Sequence, residues 1–219
     1  MAPPRHRRHT PPEQIDLPLL APFAGTLADG VDYEDLDLAG LDLSGASAIG
    51  ASFLGCRIEH CTLDDVRLDR ARIAETHIRD VGATAIHAGD TNWQGSLLAD
   101  ARVGALLASG STWDLVRLRG IKANLLDLRA SRLTDVVLED CAIGELDLGL
   151  AKVRSLRVVR STIGDLSVED ASLADVDLTG ARLAVVRGVV GLRGATIGVG
   201  QLQDLAPLLA TSLGIEVRG

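Results

Sequence analysis

Three residues, Cys56, His60 and Cys61, have side chains of the types that bind metal ions. Two thiolates and an imidazole this close in sequence could coordinate zinc if all three pointed the same way. The five-residue periodicity described below instead places both cysteines inward and His60 outward, so we interpret the cysteines as small core residues. His77 and His87 also fall at outward positions on different sides, where we expect solvated imidazoles.

Acidic side chains are numerous in the second half of the chain. Residues 31–186 contain 25 acidic and 16 basic residues, and the whole chain has a formal net charge of −8. This charge disfavours phosphate backbones and anionic membranes, so we expect no direct nucleic acid binding and no membrane association. The carboxylates form either a solvated face or a surface that imitates DNA phosphates. The candidate residues for that surface are Glu139, Asp140, Glu145, Asp147, Asp165, Glu169, Asp170, Asp175 and Asp177.

Motifs of catalytic chemistry are missing from the sequence. It contains no H-E-x-x-H, no G-x-S-x-G and no glycine-rich phosphate loop. Catalysis needs a nucleophile, a base and an orienting group that converge in a pocket. We therefore predict a protein that is not an enzyme, with no catalytic residue, no metal site and no cofactor. The odd number of cysteines and the absence of a secretion signal favour the cytoplasm.

Apolar residues recur at every fifth position along most of the chain. From Leu38 to Leu183 there are 30 such positions, and every one is apolar. The position two residues earlier is small or apolar, and the other three carry most of the charge and glycine. A period of five fits neither an α-helix nor a β-strand. Each unit is therefore predicted to be a short extended segment followed by a tight turn, in which Gly40 and Gly45 would supply positive φ.

Four such units, or 20 residues, are predicted to form one coil. Residues 20 apart then stack, and the large side chains coincide in one interior column with small residues beside them. This arrangement would fill a constant cross-section at native packing density. The predicted column consists of Phe53, Ile73, Trp93, Trp113, Leu133, Val153 and Leu173.

The units at residues 41–45 (LDLSG) and 171–175 (ASLAD) resemble the A-[D/N]-L-x-x motif of the pentapeptide-repeat family. The resemblance covers about residues 31–198 and implies an all-β fold, a right-handed quadrilateral β-helix. No loop interrupts the repeat between 36 and 186, so the chain is most similar to the loopless mycobacterial quinolone-resistance type. That similarity implies a DNA mimic that binds DNA gyrase and modulates type II topoisomerases, giving resistance to quinolone-type poisons.

A structural or interaction scaffold for another protein, unrelated to topoisomerases, is the alternative function. A solenoid presents repeated flat faces that suit protein recognition. Several apolar residues fall at outward positions, which favours a protein interface. These residues are Leu97, Leu107, Leu115, Leu125, Val137 and Leu150.

The two ends of the chain depart from the repeat. We expect a disordered basic tail over 1–16, a lead-in cap over 17–30, the solenoid over 31–198 and a helical cap over 199–219. Val190 is expected to continue the inward pattern after the deletion of one residue from the five-residue repeat. Pro207 is expected to split or kink the helix. The last segment either only caps the solenoid or also joins two copies into a homodimer, as in several family members. Its candidate residues are Leu202, Leu205, Leu208, Leu209, Leu213 and Ile215.

Overall fold

The computed structural model describes residues 17–217, so the predicted tail over 1–16 lies outside the described residues. The chain forms a β-solenoid of about eight coils, mostly strand, with one C-terminal helix. The predicted β-helix fold is therefore confirmed. Within 17–217, no helix is both long enough and apolar enough to cross a membrane.

The strands are short and pair in parallel. A 3-10 helix at Val189–Leu192 and an α-helix, α1, at Val199–Ser212 follow most of them. The strands are β1 (Ala21–Pro22), β2 (Asp32–Glu34), β3 (Leu36–Ala39), β4 (Ser52–Leu54), β5 (Arg57–Glu59), β6 (Val66–Arg67), β7 (Arg72–Ala74), β8 (His77–Arg79), β9 (Gly82–His87), β10 (Asn92–Gln94), β11 (Leu97–Ala99), β12 (Arg102–Leu107), β13 (Thr112–Asp114), β14 (Arg117–Arg119), β15 (Lys122–Asp127), β16 (Arg132–Glu139), β17 (Ala142–Asp147), β18 (Lys152–Val159), β19 (Ser161–Ser167), β20 (Ser172–Asp177), β21 (Ala181–Arg187) and β22 (Ala195–Thr196).

Strand pairing repeats with a register of 20 residues from β2 to β21, whereas Ala21 of β1 pairs with Leu36 of β3, only 15 residues later. Tyr33 pairs with Phe53 at the N-terminal end, and Ile163 pairs with Leu183 near the C-terminal end. Each coil therefore sits directly on the coil before it. The inward residue of every unit meets the equivalent residue of the next coil, which is the stacking that the sequence predicts.

Every fifth residue forms a corner. Gly40, Gly45 and Gly50 have φ of 68°, and within residues 17–217 another 17 residues at equivalent corners, none of them glycine, also have positive φ. This left-handed conformation costs a residue with a β-carbon about 1–2 kcal/mol. Aspartate, which can hydrogen-bond locally, is the commonest of these residues, whereas Leu115 and Leu150 occupy two corners without that help. Four corners in each 20-residue coil leave four flat sides.

The sides are numbered here in chain order. Side 1 contains β2, β4, β7, β10, β13 and the first halves of β16, β18 and β20; side 2 contains β1, β3, β5, β8, β11, β14 and the second halves of the same three strands. Side 3 contains the first halves of six strands, β9, β12, β15, β17, β19 and β21. Side 4 contains β6 and the second halves of the same six strands.

The interior column lies behind side 1. Strand pairing stacks its seven members in the order of the sequence, and all of them are buried. The ring centroids of Trp93 and Trp113 are 5.4 Å apart. Beside them, Thr91 and Ser111 form a buried hydroxyl pair with oxygens 2.9 Å apart, and the Nε1–H of Trp93 donates to Thr91 Oγ1 at 2.9 Å. Large rings and small hydroxyl residues thus fill the cross-section together.

The C-terminal end departs from the repeat partly as predicted. Val176 pairs with Ala195, a register of 19, so the deletion of one residue is confirmed. Val190, however, does not continue the inward pattern, because it lies in the 3-10 helix with 65% of its surface exposed. The chain turns out of the strand at Gly188, where φ is 70°. Helix α1 continues through Pro207 as one helix, so of the two alternatives expected there, a split or a kink, the split is wrong.

Candidate interaction surfaces

The three cysteines are buried free thiols that face backbone oxygens. Cys61 Sγ lies 3.1 Å from the Leu38 carbonyl oxygen, and Cys56 Sγ lies 3.4 Å from that of Tyr33. Burial raises the pKa of Cys56, Cys61 and Cys141 alike. Protonated, buried thiols are poor nucleophiles and poor metal ligands, so these groups do not form a reactive site.

The interior of the solenoid is packed with apolar side chains. A cavity of about 30 Å³ lies inside it, and its lining, which includes Leu27, Phe53 and Trp93, is entirely apolar. A volume of this size is comparable to that of one water molecule, and the lining offers no polar group to orient a ligand. Recognition by this protein therefore belongs to its outer surface.

The candidate acidic residues are spread around the rod. Glu139 and Asp177 lie on side 2, and Asp147 and Glu169 lie on side 4. Asp140, Asp170 and Asp175 occupy positive-φ corners, of which Asp140 separates sides 2 and 3. Glu145 and Asp165 lie within β17 and β19, where side 3 passes into side 4. The 20-residue register therefore does not gather them into one continuous stripe.

One group of these carboxylates is neutralised by Arg160 and Arg117. Arg160 Nη2 lies 2.8 Å from Glu139 Oε1, and its Nε lies 2.8 Å from Asp140 Oδ1. Arg117 Nη1 approaches the other oxygen of Glu139 at 3.4 Å. The hydrogen bond from Arg160 lowers the pKa of Asp140, while the two carboxylates raise the pKa of Arg160. Two of the nine candidates are thus paired with arginine.

A second group is held by Arg187 and Arg129. Arg187 bridges Glu145 and Asp165 across two coils, with its Nε 2.9 Å from Asp165 Oδ1. Arg129 Nε lies 3.8 Å from Asp147 Oδ2. Five of the nine candidates therefore have an arginine within ion-pair distance, and the negative potential of the surface is reduced at those points.

The other four candidates form no ion pair within residues 17–217. Glu169, Asp170 and Asp175 lie on side 4 and on the two corners that flank side 1. Asp177, on side 2, accepts hydrogen bonds from the backbone N–H and hydroxyl of Thr179, which lower its pKa. These four carboxylates are the part of the predicted acidic surface that a basic partner would meet as full charges.

Side 3 carries the opposite charge at its centre. Arg102 and Lys122 are directly paired on β12 and β15, and both are exposed. A shallow depression of about 390 Å³ lies between them and a floor that includes Gly104 and Ala142. Side 3 is therefore unsuited to imitating the phosphates of DNA.

Two of the residues predicted to be exposed on side 2 are buried. Leu97 has no exposed surface and His77 is only 8% exposed, although their positions point outward. Leu97 lies between His77 and Arg117 in the ladder. Leu150 is the one strongly exposed member of the predicted outward apolar set, at 63%.

Helix α1 closes the C-terminal end through Gln201 and Leu205. The side-chain amide of Gln201 donates to the carbonyl oxygens of Leu178 and Ala181 at 2.8 and 2.7 Å. Leu205 is buried against the last coil, and Leu209 packs partly against it. The helix thus satisfies open backbone acceptors and covers the end of the core.

The other candidate residues of the cap face away from the solenoid. Leu202 is 49% exposed, Leu208 44%, Leu213 72% and Ile215 55%. Gly214 follows the helix with φ of 71°, which turns the chain so that Ile215 can bond back to the helix at Ala210. The end of the rod therefore presents an apolar surface.

A further cluster escaped the sequence analysis. Glu59, His60 and Asp80 bring one potential metal-ligand atom each within 4.8 Å of one another. Only His60 was considered, together with cysteines that point inward. The signal that could have found the cluster is the 20-residue register, which places Asp80 directly after His60 on the same corner.

Comparison with known proteins finds the repeat in part of the chain. Residues 34–76 match the family model described as pentapeptide repeats, with 8 copies. No curated protein matches the sequence.

Solved structures that match this chain share little sequence with it. Full-length QnrB1, described as a plasmid-mediated fluoroquinolone resistance protein, is 17% identical, with 89% of this chain and 97% of that chain covered and a TM-score of 0.35. HetL, a pentapeptide repeat protein involved in heterocyst differentiation regulation from the cyanobacterium Nostoc sp. strain PCC 7120, is 16% identical. The alignment with HetL covers 80% of this chain and 93% of that one, with a TM-score of 0.28.

Proposed function

We propose that this chain is a non-enzymatic, cytoplasmic interaction protein that works as a homodimeric rod. Two copies would join through the apolar surface of the C-terminal cap, and the sides would be left free to bind another protein. The observation that carries this proposal is the concentration of exposed apolar side chains at one end of the molecule.

Eleven large apolar side chains are strongly exposed within residues 17–217, and eight of them lie between 185 and 217. Exposed apolar patches of this kind mark protein interaction sites. Pro207, Ala210 and Ile215 also line a depression of about 390 Å³ that could receive a side chain from a partner. A two-fold dimer buries the same patch on both copies, which removes the whole apolar end from water.

The test is the oligomeric state of a cap variant and a matched side variant. Leu208→Glu places a charge in the helical cap, whereas Leu150→Glu places the same charge at an exposed corner of the repeat, outside the cap. We expect wild-type protein and Leu150→Glu to sediment as dimers and Leu208→Glu to sediment as a monomer with an unchanged circular dichroism spectrum. A monomeric wild type at 100 µM, or a dimeric Leu208→Glu, would refute the proposal.

A second candidate function concerns the partner. The excess of acidic over basic residues in the repeat supports a DNA-mimic modulator of DNA gyrase that would give quinolone-type resistance. In that mechanism Glu169, Asp170 and Asp175, which have no arginine partner within residues 17–217, would occupy phosphate positions on a basic surface. Such binding weakens steeply as salt rises.

Gyrase supercoiling assays at two salt concentrations, with and without a fluoroquinolone, distinguish this candidate from a scaffold for an unrelated protein. We expect inhibition or drug protection that fades at high salt and that Glu169→Gln combined with Asp170→Asn weakens. Glu145→Gln, at an arginine-paired site, serves as the matched control and is expected to retain the effect. No effect at micromolar protein would exclude the gyrase candidate and leave the dimeric scaffold standing.

A further inference from the structure

A cluster of metal-ligand types occupies the corner between sides 2 and 3, where two successive coils meet. We propose that Glu59, His60 and Asp80 form a binding site for one divalent transition-metal ion, of which Zn²⁺ is the representative. This site lies in the N-terminal half of the repeat, whereas the apolar cap lies at the C-terminal end. The metal-binding proposal does not depend on the proposed function.

The composition of the cluster suits this class of ion. Its three potential ligand atoms, one from each side chain, lie within 4.8 Å of one another. Imidazole with two carboxylates is a donor set that Zn²⁺, Co²⁺ and Ni²⁺ accept, and zinc sites with three protein ligands keep a fourth position for water or another ligand. A purely carboxylate cluster would instead favour Ca²⁺ or Mg²⁺, so the imidazole of His60 selects the ion class.

The backbone under the three side chains is fixed by the solenoid. His60 and Asp80 occupy the same corner of consecutive coils, with φ of 55° and 49°. The His60 N–H donates to the Arg79 carbonyl oxygen, and the Asp80 N–H donates to that of Ala99, each at 3.2 Å. Glu59 ends strand β5 and pairs with Arg79 in the ladder. Binding an ion therefore requires only side-chain rotation, which lowers the ordering cost of a site built on three residues.

Arginine competes only partly for the carboxylates. The guanidinium of Arg57 is held by both oxygens of Asp37, and its Nε also lies within ion-pair distance of Glu59, 3.8 Å from Glu59 Oε2. Within residues 17–217, no ion pair involves Asp80. The carboxylates of Glu59 and Asp80 concentrate negative charge at this corner, which a divalent ion would neutralise.

Space for further ligands is present on the coil before the cluster. The equivalent corner there is Gly40, and a β-carbon added at Gly40 would meet no atom within 4 Å. The cluster is also largely open to solvent on its outer side, since His60 and Asp80 are exposed. Water, or a donor group from another molecule, can therefore complete the coordination of the ion.

The experiment is a Zn²⁺ titration by isothermal calorimetry of EDTA-stripped protein, followed by Co²⁺ absorption spectroscopy. The background for all variants is His6→Ala with His9→Ala, because the N-terminal segment supplies two other imidazoles. We expect one ion per chain, with Co²⁺ bands of a four- or five-coordinate site. His60→Asn, chosen because asparagine tolerates positive φ, and Asp80→Asn should each weaken binding at least tenfold.

The matched control is Asp100→Asn, which changes a carboxylate on the next corner of the same column and should leave the affinity unchanged. Circular dichroism of each variant checks that the solenoid is folded. The proposal is overturned if the folded protein binds no Zn²⁺ at 100 µM, or if Asp80→Asn and His60→Asn bind as tightly as Asp100→Asn. Equal loss in all three variants would also overturn it, because it would indicate diffuse charge attraction rather than coordination.

Discussion

The two tryptophans of the interior column should respond differently to the same substitution. Both are buried, and both would lose the same atoms on replacement by phenylalanine. They differ in one hydrogen bond: the Nε1–H of Trp93 donates to Thr91 Oγ1, whereas that of Trp113 has no hydrogen-bond partner within residues 17–217. The pair therefore separates the cost of lost volume from the cost of a buried donor.

The magnitudes follow from these two contributions. Lost volume and apolar contact should cost about 1–2 kcal/mol at either site. At Trp113 the substitution also removes an unsatisfied donor whose burial costs about 1–3 kcal/mol, so Trp113→Phe should change the free energy of unfolding by roughly zero. At Trp93 the lost hydrogen bond adds about 0.5–1.5 kcal/mol. Trp93→Phe should therefore be about 2–3 kcal/mol less stable than wild type.

Guanidinium unfolding followed by far-ultraviolet circular dichroism measures both values, and fluorescence of the one tryptophan left in each variant reports its burial. The informative quantity is the difference between the free energies of unfolding of the two variants, about 2–3 kcal/mol, because errors in the cost of lost volume cancel. If Trp113→Phe is destabilised as much as Trp93→Phe, the indole of Trp113 has a partner and the packing described for the column is wrong.

Three other substitutions test the fold. Leu128→Lys buries an unpaired charge at a site only 2% exposed, and we expect insoluble or unfolded protein on expression; a soluble variant with wild-type circular dichroism would contradict the register. A hydrogen bond from Arg129 lowers the pKa of Asp127, so its contribution to stability is present above the unfolded pKa of about 3.9 and is lost as pH falls through the folded value. The gap between the melting temperatures of wild type and Asp127→Asn should therefore be constant above about pH 4 and close as pH falls below that value, and a gap that persists at low pH would argue against the pair. Gly104→Ala would place a β-carbon 2.3 Å from a backbone oxygen of the preceding coil, whereas the β-carbon of Gly82→Ala would meet no atom within 4 Å. Urea unfolding should show that Gly104→Ala is destabilised by about 1–3 kcal/mol and that the stability of Gly82→Ala is little changed. Equal destabilisation of the two variants would refute the coil spacing.

The sequence alone was sufficient to predict the solenoid because apolar residues recur at every fifth position. Inward positions are recognised by repetition, so a degenerate residue such as Thr91 does not obscure its neighbours. The 20-residue coil is also supported, since Phe53, Trp93 and Trp113 fall in one column at that length but not at 15 or 25 residues. The deletion near the C-terminal end was visible for the same reason: a shift by one residue moves every apolar position after it.

Exposure and pairing on the outside could not be predicted in this way. Leu97 is buried although its position points outward, because its exposure depends on the side chains around it rather than on the register. Arg187 reaches Glu145 across two coils, a contact that depends on side-chain length and rotamer. Val190 lies outside the repeat because a left-handed Gly188 redirects the chain, and a periodic pattern carries no information about where it stops.

The direction of the backbone hydrogen bonds has a mechanical consequence. Because each coil bonds to the next along the rod, a force that pulls the two ends apart acts directly on these bonds and loads one coil boundary at a time. Extension in an optical trap or force microscope should then proceed by peeling from an end, and each released coil of 20 residues would add roughly 70 Å of extended chain. Peeling would begin at one of the two ends. At the C-terminal end, the hydrogen bonds from Gln201 to the last coil would have to break first.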